Sequence, residues 1–473
     1  MSAFDERLCV TCSAPTNIAT IKYWGKASAE LNTPINSSVS VTLHQDDLKA
    51  ITTVAASRSF SKDRLWLNGK EEDVESNKRL TTVIKLVRAL AGDKVDAKTG
   101  EVLVYKADWP QYHVHIASRN TFPTAAGLAS SAAGYACLTF ALAQLFAACE
   151  TYDGELTAIA RQGSGSACRS LYGGFVRWQK GERADAADSI AVQVADEAHW
   201  PELRALIFVA SAAKKGTSST SGMGTSVATS ELLRHRAAAL VEPRLAAIEA
   251  AYLARDFAGF GRATMVDSNQ FHATCLDTYP PIFYMNDVSR ALVQAVHAFN
   301  AHHGAIRAAY TFDAGPNAVV YTTASDVAQL LAVMSRAFPV PRGAPACSDA
   351  ALAAEAAAED VPEALLAAVL GAVREPRAGD VQMVYATRVG DGPRVLGAAD
   401  RMLDPATGLN TYAAPPPPLP SAAASASPHG GCLCPGHFSG GLSGMLECSF
   451  MRAALLMSAA AAVGVAAAAR RRL

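Results

Sequence analysis

No charge of either sign predominates in this chain: 42 Lys and Arg stand against 43 Asp and Glu, for a formal net charge of −1. A long-range field able to hold nucleic acid or an anionic membrane is therefore excluded, and an anionic ligand has to be met by basic residues gathered locally. The G-x-x-x-x-G-K-[ST] phosphate loop is missing as well, which excludes the P-loop architecture. The ten cysteines occur in no spacing that reads as a compact disulfide framework, and no secretory leader precedes the first strand-like residues, so a reducing cytosol is expected. Cys432, Cys434 and His437 form C-x-C-x-x-H with no fourth ligand nearby, too few to close a structural zinc site. What the chain does have is apolar content: 50% of residues are hydrophobic and only 18% charged, which suits a globular protein with a large interior. Its 473 residues predict two domains with room for an appendage.

Alternation and apolar runs predict strands over 8–16, 48–55, 64–68 and 113–118, and helices over 80–91 and 130–148. A second half begins near Trp200-Pro201, with a strand over 204–212, helical segments around 228–256 and 286–301, and strands near 308–312, 318–322 and 382–389. Several consecutive strands have no helix between them, so the pattern favours an α+β fold over a doubly wound parallel sheet. Two lobes are expected, over 1–200 and 201–404. After about 404 the composition changes to Pro415–Pro418 and then Ser, Ala and Gly repeats, which cannot bury enough apolar area to order themselves, so 405–450 reads as a linker. In the Ala-rich tail, 451–473, the uncharged run 453–469 ends at three arginines. Alanine is only marginally favourable in hydrocarbon, so the tail reads as an appended helix, with a weak membrane anchor as the alternative; the closing Arg-Arg-Leu is at most a distant relative of a peroxisomal address.

Four stretches carry residues suited to chemistry. Pro123 to Gly134, P-T-A-A-G-L-A-S-S-A-A-G, runs into the apolar stretch 135–148. Unpaired N–H groups at the start of a helix, lined by small residues, let an oligophosphate approach closely, and Ser130 and Ser131 stand where a magnesium-phosphate group could be held. The alternative is a small-residue helix packed on a sheet. Asn17 to Lys26, N-I-A-T-I-K-Y-W-G-K, brings Lys22, Tyr23 and Lys26 close together; strand alternation would put Lys22 and Tyr23 on opposite faces, so a turn or bulge is required if both are to face one ligand. A solvated basic loop is the other reading. Gly163 to Arg169, G-S-G-S-A-C-R, is either a turn with a surface arginine or a loop presenting N–H and hydroxyl groups while Arg169 grips an anion bidentately. Asp313, before Ala314-Gly315-Pro316-Asn317, is either a turn-former or a general base for a substrate hydroxyl, kept ionised and aimed by Lys22.

Taken together with Pro34-Ile35-Asn36-Ser37-Ser38 and Asp267-Ser268-Asn269-Gln270-Phe271-His272, these stretches resemble the mevalonate diphosphate decarboxylase family, in the superfamily of galactokinase, homoserine kinase and mevalonate kinase, over about residues 8 to 400. The resemblance implies a two-domain fold, with an N-terminal lobe like ribosomal protein S5, a ferredoxin-like α/β sandwich as C-terminal lobe and the active site in the cleft between them. It also implies ATP-dependent decarboxylation of a diphosphorylated hydroxy acid, with magnesium, in a cytoplasmic homodimer. Carried over by motif, Asp313 is the base, Lys22 its partner, and Arg169 with Asn17 orients the carboxylate. Tyr23, Trp24, Gly25, Lys26, Arg79, Ser164, Gly165, Ser166, Ala167, Cys168 and Thr220 hold the rest of the substrate. Gly127, Leu128, Ala129, Ser130 and Ser131 cradle the ATP phosphates, with magnesium at Ser130 or Ser131. Two rivals are a kinase of the same superfamily that stops after phosphorylation, against which the joint presence of Lys22, Arg169 and Asp313 argues, and a catalytically silent sensor or scaffold.

Overall fold

The computed structural model describes residues 5–122, 130–210 and 216–413, and within them three larger sheets, two two-stranded ones and their helices make an α+β architecture. The largest sheet has six strands in the order Arg394–Val395, Cys9–Pro15, Lys49–Ser57, His113–Asn120, Arg64–Leu67 and Lys70–Glu72. All its pairs are antiparallel except His113–Asn120 with Arg64–Leu67. Period-two alternation decides its faces: Ala50, Val54 and Ala56 look into a core formed with the helices Lys78–Ala89, Ser130–Phe146 and Glu155–Gly163, while Ile51 and Ala55 look the other way. Ser130–Phe146 is apolar nearly all round because it is buried nearly all round, and its small residues permit close approach to the sheet; the Cys137 thiol reaches the Cys12 carbonyl at 3.2 Å.

A second sheet has the order Ala191–Ala195, Phe175–Trp178, Ser38–Thr42 and Asn17–Ile21. The third, Ala309–Phe312, Ala318–Thr323, Leu203–Val209 and Met383–Arg388, is covered on both faces, which explains why its strands read as continuous apolar runs. Leu206 and Phe208 pack with the helices Asp287–His303, Val327–Ala337 and Glu363–Ala372. Leu203, Ala205 and Ile207 join Ile18, Val39, Val41 and the helices Val241–Ala254 and Phe257–Asp277 in the core shared with the second sheet.

The end of the described chain departs from the expected boundaries. Arg394–Val395 pairs with Cys9–Pro15, so the chain returns from the third sheet to the first before residue 404. Residues 405–413, expected to begin a linker, are anchored: Tyr412 packs against the cluster of Ile51, Trp66, Ala117, Met402 and Leu403, His115 Nδ1 lies 2.9 Å from the Gly408 carbonyl, and Thr411 N–H donates to the Met402 carbonyl at 2.9 Å. Their polar sequence hid this because backbone and side-chain hydrogen bonds hold the segment as much as apolar burial does. The remainder of 405–450, the tail 451–473 and the Cys432–His437 motif lie outside the described residues. Among the described residues no helix is long and apolar enough to cross a membrane.

Candidate functional site

The strand Asn17–Ile21 carries a register irregularity against Ser38–Thr42 between Ala19 and Ile21, and it ends at Ile21. This break in alternation resolves the difficulty posed by the sequence, since Lys22 and Tyr23 now line the same cleft of about 650 Å³. Gly25 completes the bend at φ 97°, and a Cβ there would lie 2.7 Å from Ile35 Cδ1 and 2.9 Å from Val227 Cγ2, so only glycine fits. The cleft is cationic in a nearly neutral protein: among its described lining residues Lys22, Lys26, Arg79 and Arg169 face a single carboxylate, Asp313.

Asp313 follows the strand Ala309–Phe312, where its carbonyl accepts the Gly315 N–H at 2.7 Å. Its carboxylate Oδ1 lies 2.6 Å from Lys22 Nζ, and the Lys22 side chain is 3% exposed against 31% for that of Asp313. The carboxylate therefore faces the cleft while the ammonium supports it from behind. Burial pushes the Lys22 ammonium below the usual lysine range, opposed by the charge and hydrogen bond of Asp313. His272, buried on the helix Phe257–Asp277, is held neutral, its pKa pushed to about 4 by burial and by Lys22.

Arg169 is buried in the 3₁₀ turn Gly165–Leu171, and hydroxyls orient it without neutralising it. Its Nε donates to Ser40 Oγ at 2.9 Å and to Asn17 Oδ1 at 3.2 Å, and its Nη1 donates to Ser38 Oγ at 2.5 Å. Asn17 is fixed in turn by donating to Ser170 Oγ at 2.8 Å and to the Ser166 carbonyl at 3.0 Å. Because no carboxylate pairs with the guanidinium among the described residues, it is free to orient an anion in the cleft. Burial pushes its pKa down from the usual arginine value.

At the outer end, burial, with Arg79 adding repulsion, lowers Lys26 to about 8. Arg79, in the first turn of Lys78–Ala89, donates to Thr220 Oγ1 at 3.4 Å, and Thr220 lies in the first turn of Ser219–Thr229, whose N-cap is Ser218. Ser130 and Ser131 open their helix and line the cleft, Ser131 Oγ 3.2 Å from Ser164 Oγ. Gly127, Leu128 and Ala129 lie outside the described residues.

Most of the expected site residues converge here: Asn17, Lys22, Tyr23, Trp24, Lys26, Arg79, Ser130, Ser131, Ser164, Gly165, Ser166, Arg169, Thr220 and Asp313 all line the cleft. Three do not. Ala167 is packed in the core under the first sheet, Cys168 lies fully buried with Val176 and Trp178, and Gly25 serves the turn. The 3₁₀ geometry explains the first two, since successive side chains point about a third of a turn apart and only some can face the ligand. Trp24 is tied to structure as well, donating from Nε1 to Ser226 Oγ at 2.9 Å and meeting Phe271 edge-on at 4.9 Å.

Several contributors escaped the sequence reading. Ser38 and Ser40 grip Arg169, and Met223 and Phe271 add apolar wall. Beneath the floor, Arg236 and Asp267 form a fully buried fork at 2.6 and 2.8 Å, and removing one partner of such a pair costs about 3–5 kcal/mol. Arg236 stands at the start of a π-helical turn, Arg236–Leu240, between the α-helices Glu231–His235 and Val241–Ala254 in the region where helical segments were expected around 228–256. Ser38 and Asp267 lay within quoted motifs, so the signal was present without a role attached.

A two-lobed α+β protein with a basic cleft, a serine-led helix on one side and a lysine-aspartate pair on the other belongs with the small-molecule phosphotransferases of the galactokinase, homoserine kinase and mevalonate kinase superfamily. Comparison narrows this further. Residues 14–191 match the diphosphomevalonate decarboxylase-like N-terminal domain and residues 205–396 the mevalonate 5-diphosphate decarboxylase C-terminal domain. Similar curated proteins include the diphosphomevalonate decarboxylases of Bos taurus, 53% identical over 82% of this chain and 93% of theirs, and of Homo sapiens, 52% identical over 82% and 93%. Among solved structures, the mevalonate diphosphate decarboxylase from Trypanosoma brucei aligns at TM-score 0.76 and 35% identity, covering 84% of this chain and 100% of that one. One described as MDDEF in complex with MVAPP, AMPPCP and magnesium aligns at 0.61 and 28%, covering 82% and 99%. The chain belongs to the diphosphomevalonate decarboxylase family.

Proposed function

We propose that this chain catalyses the ATP-dependent decarboxylation of mevalonate 5-diphosphate to isopentenyl diphosphate, ADP, phosphate and CO₂. The observation that carries the reading is the 2.6 Å contact between Lys22 and Asp313 in a cleft that also presents Arg169, within a chain of this family. Asp313 takes the proton of the tertiary 3-hydroxyl as its oxygen attacks the γ-phosphorus of ATP, and Lys22 steadies the charge on the carboxylate and on the oxygen. ADP leaves. Phosphate then departs from C3, the electrons of the bond to the carboxylate carbon move in to form the alkene, and CO₂ is released. Arg169, held by Asn17, Ser38 and Ser40, aligns that carboxylate, a contribution of orientation more than of attraction.

Lys26, Arg79, Tyr23, Ser164, Ser166 and Thr220 receive the diphosphate and chain, the first two supplying charge for it. Ser130 and Ser131 fit the magnesium-nucleotide substrate, as hydroxyls at a helix start facing a basic cleft. Bound magnesium supplies charge neutralisation to the transferred phosphoryl group. A homodimer acting in the cytoplasm on this small molecule completes the proposal, with sedimentation velocity and imaging of the tagged chain as tests. The activity itself is tested by measuring ADP and CO₂ from one reaction of the purified chain. Equal amounts are expected; ADP without CO₂ would leave a kinase, and neither product, with both ligands bound, a sensor.

A further inference from the structure

Lys22 and Asp313 sit at the ends of strands in different sheets, Asn17–Ile21 in the second and Ala309–Phe312 in the third. No ladder runs between these two strands, so strand pairing does not set the distance between the reacting side chains. The helix Phe257–Asp277 packs against both strands, and two successive residues on its buried face bond the main chain beside each member of the pair. Asp267 Oδ2 accepts the Lys22 N–H at 2.7 Å, and Ser268 Oγ accepts the N–H of Phe312, the residue before Asp313, at 3.0 Å. Arg236 clasps Asp267 and also donates from Nη2 to the Lys22 carbonyl at 3.0 Å, so both polar groups of Lys22's main chain are tied to one buried cluster. Asp267, Ser268 and Arg236 are at most 1% exposed, and none lines the cleft.

We propose that Asp267 and Ser268, locked by Arg236, are positioning residues that hold Lys22 Nζ and Asp313 Oδ1 in register across the two sheets. Apolar packing alone is non-directional, whereas an N–H donated to a fixed oxygen sets both the distance and the angle of the peptide that carries the side chain. A shift of about 1 Å in reacting groups costs up to about a hundredfold in rate, so such a clamp acts on turnover and not on ligand affinity. The rate readout rests on the activity proposed above; the geometric readout does not.

The test is Ser268→Ala in the full chain, since replacing Asp267 would strand the buried charge of Arg236. Turnover is expected to fall by roughly ten- to a hundredfold while KM for ATP and for mevalonate 5-diphosphate changes by less than about threefold. A crystal structure of the variant is expected to show Lys22 Nζ and Asp313 Oδ1 moved out of hydrogen-bonding reach. An unchanged separation overturns the proposal whatever the rate does, and so does unchanged turnover accompanied only by a lower Tm. A wild type that turns nothing over would defeat the activity assignment, and the measured separation in the variant would still decide this one.

Discussion

At the scale of single residues, Asp313 and Lys26 divide the work between turnover and capture. Asp313→Asn keeps the shape of the side chain but cannot accept a proton, so turnover is expected to drop by about a thousandfold while ATP affinity, read by calorimetry, changes by less than about twofold. Lys26 acts before chemistry. With its pKa lowered to about 8, it is protonated and receptive to a diphosphate below that pH and neutral above it. An anionic ligand favours the protonated form, so binding above pH 8 must take up a proton, and kcat/KM for the diphosphate substrate is expected to decline as pH rises through 8. Lys26→Arg, charged throughout, should remove that decline in a pH series from 7 to 9.5. Lys22, Arg169 and Asp313 could be named because each stands in a motif that carries the family resemblance, their local patterns alone leaving a plainer reading open, whereas Arg236 stands in none of those motifs and its link to Lys22 spans 214 residues.

At the scale of elements, the bend after Ile21 decides whether Lys22 and Tyr23 share a ligand. Gly25→Ala would put a side chain in the left-handed region and against Ile35. It is expected to cost about 1–3 kcal/mol in stability, read by urea unfolding, and to raise KM for the diphosphate substrate through displacement of Lys26. The need for such a bend could be read from alternation, but its site could not. The helix Ser130–Phe146 was plain because one composition runs through all its turns. Phe257–Asp277 was not, although Asp256 caps it by accepting the Gly259 N–H at 3.0 Å. Its buried face carries Thr264, Asp267, Ser268 and His272 among the apolar residues, and that polarity erases the hydrophobic periodicity by which a helix is recognised. Polar residues buried to support a reactive pair blunt the pattern that would have announced the element holding them.

At the scale of the whole molecule, the α+β class followed from strands without intervening helices, and the chain passes from the second sheet at Ala191–Ala195 to the third at Leu203–Val209. The far boundary did not follow, because a return to the first sheet by two short strand residues and a hydrogen-bonded segment leaves no apolar signature. Removal of 414–473 is expected to leave turnover within about twofold of the full chain. Removal of 397–473 should uncover Ile51, Trp66 and Ala117 and lower Tm by roughly 5 °C or more, measured by calorimetry. That late-arriving strand also has a meaning for biosynthesis. While the ribosome is still adding the third sheet, Cys9–Pro15 is the rim of an unfinished sheet with its outer amides and carbonyls open, and it stays so until Arg394 and Val395 emerge. The nascent polypeptide thus travels most of its length with one seam unsewn, and a stretch made late is what shields an early one from its neighbours on the polysome.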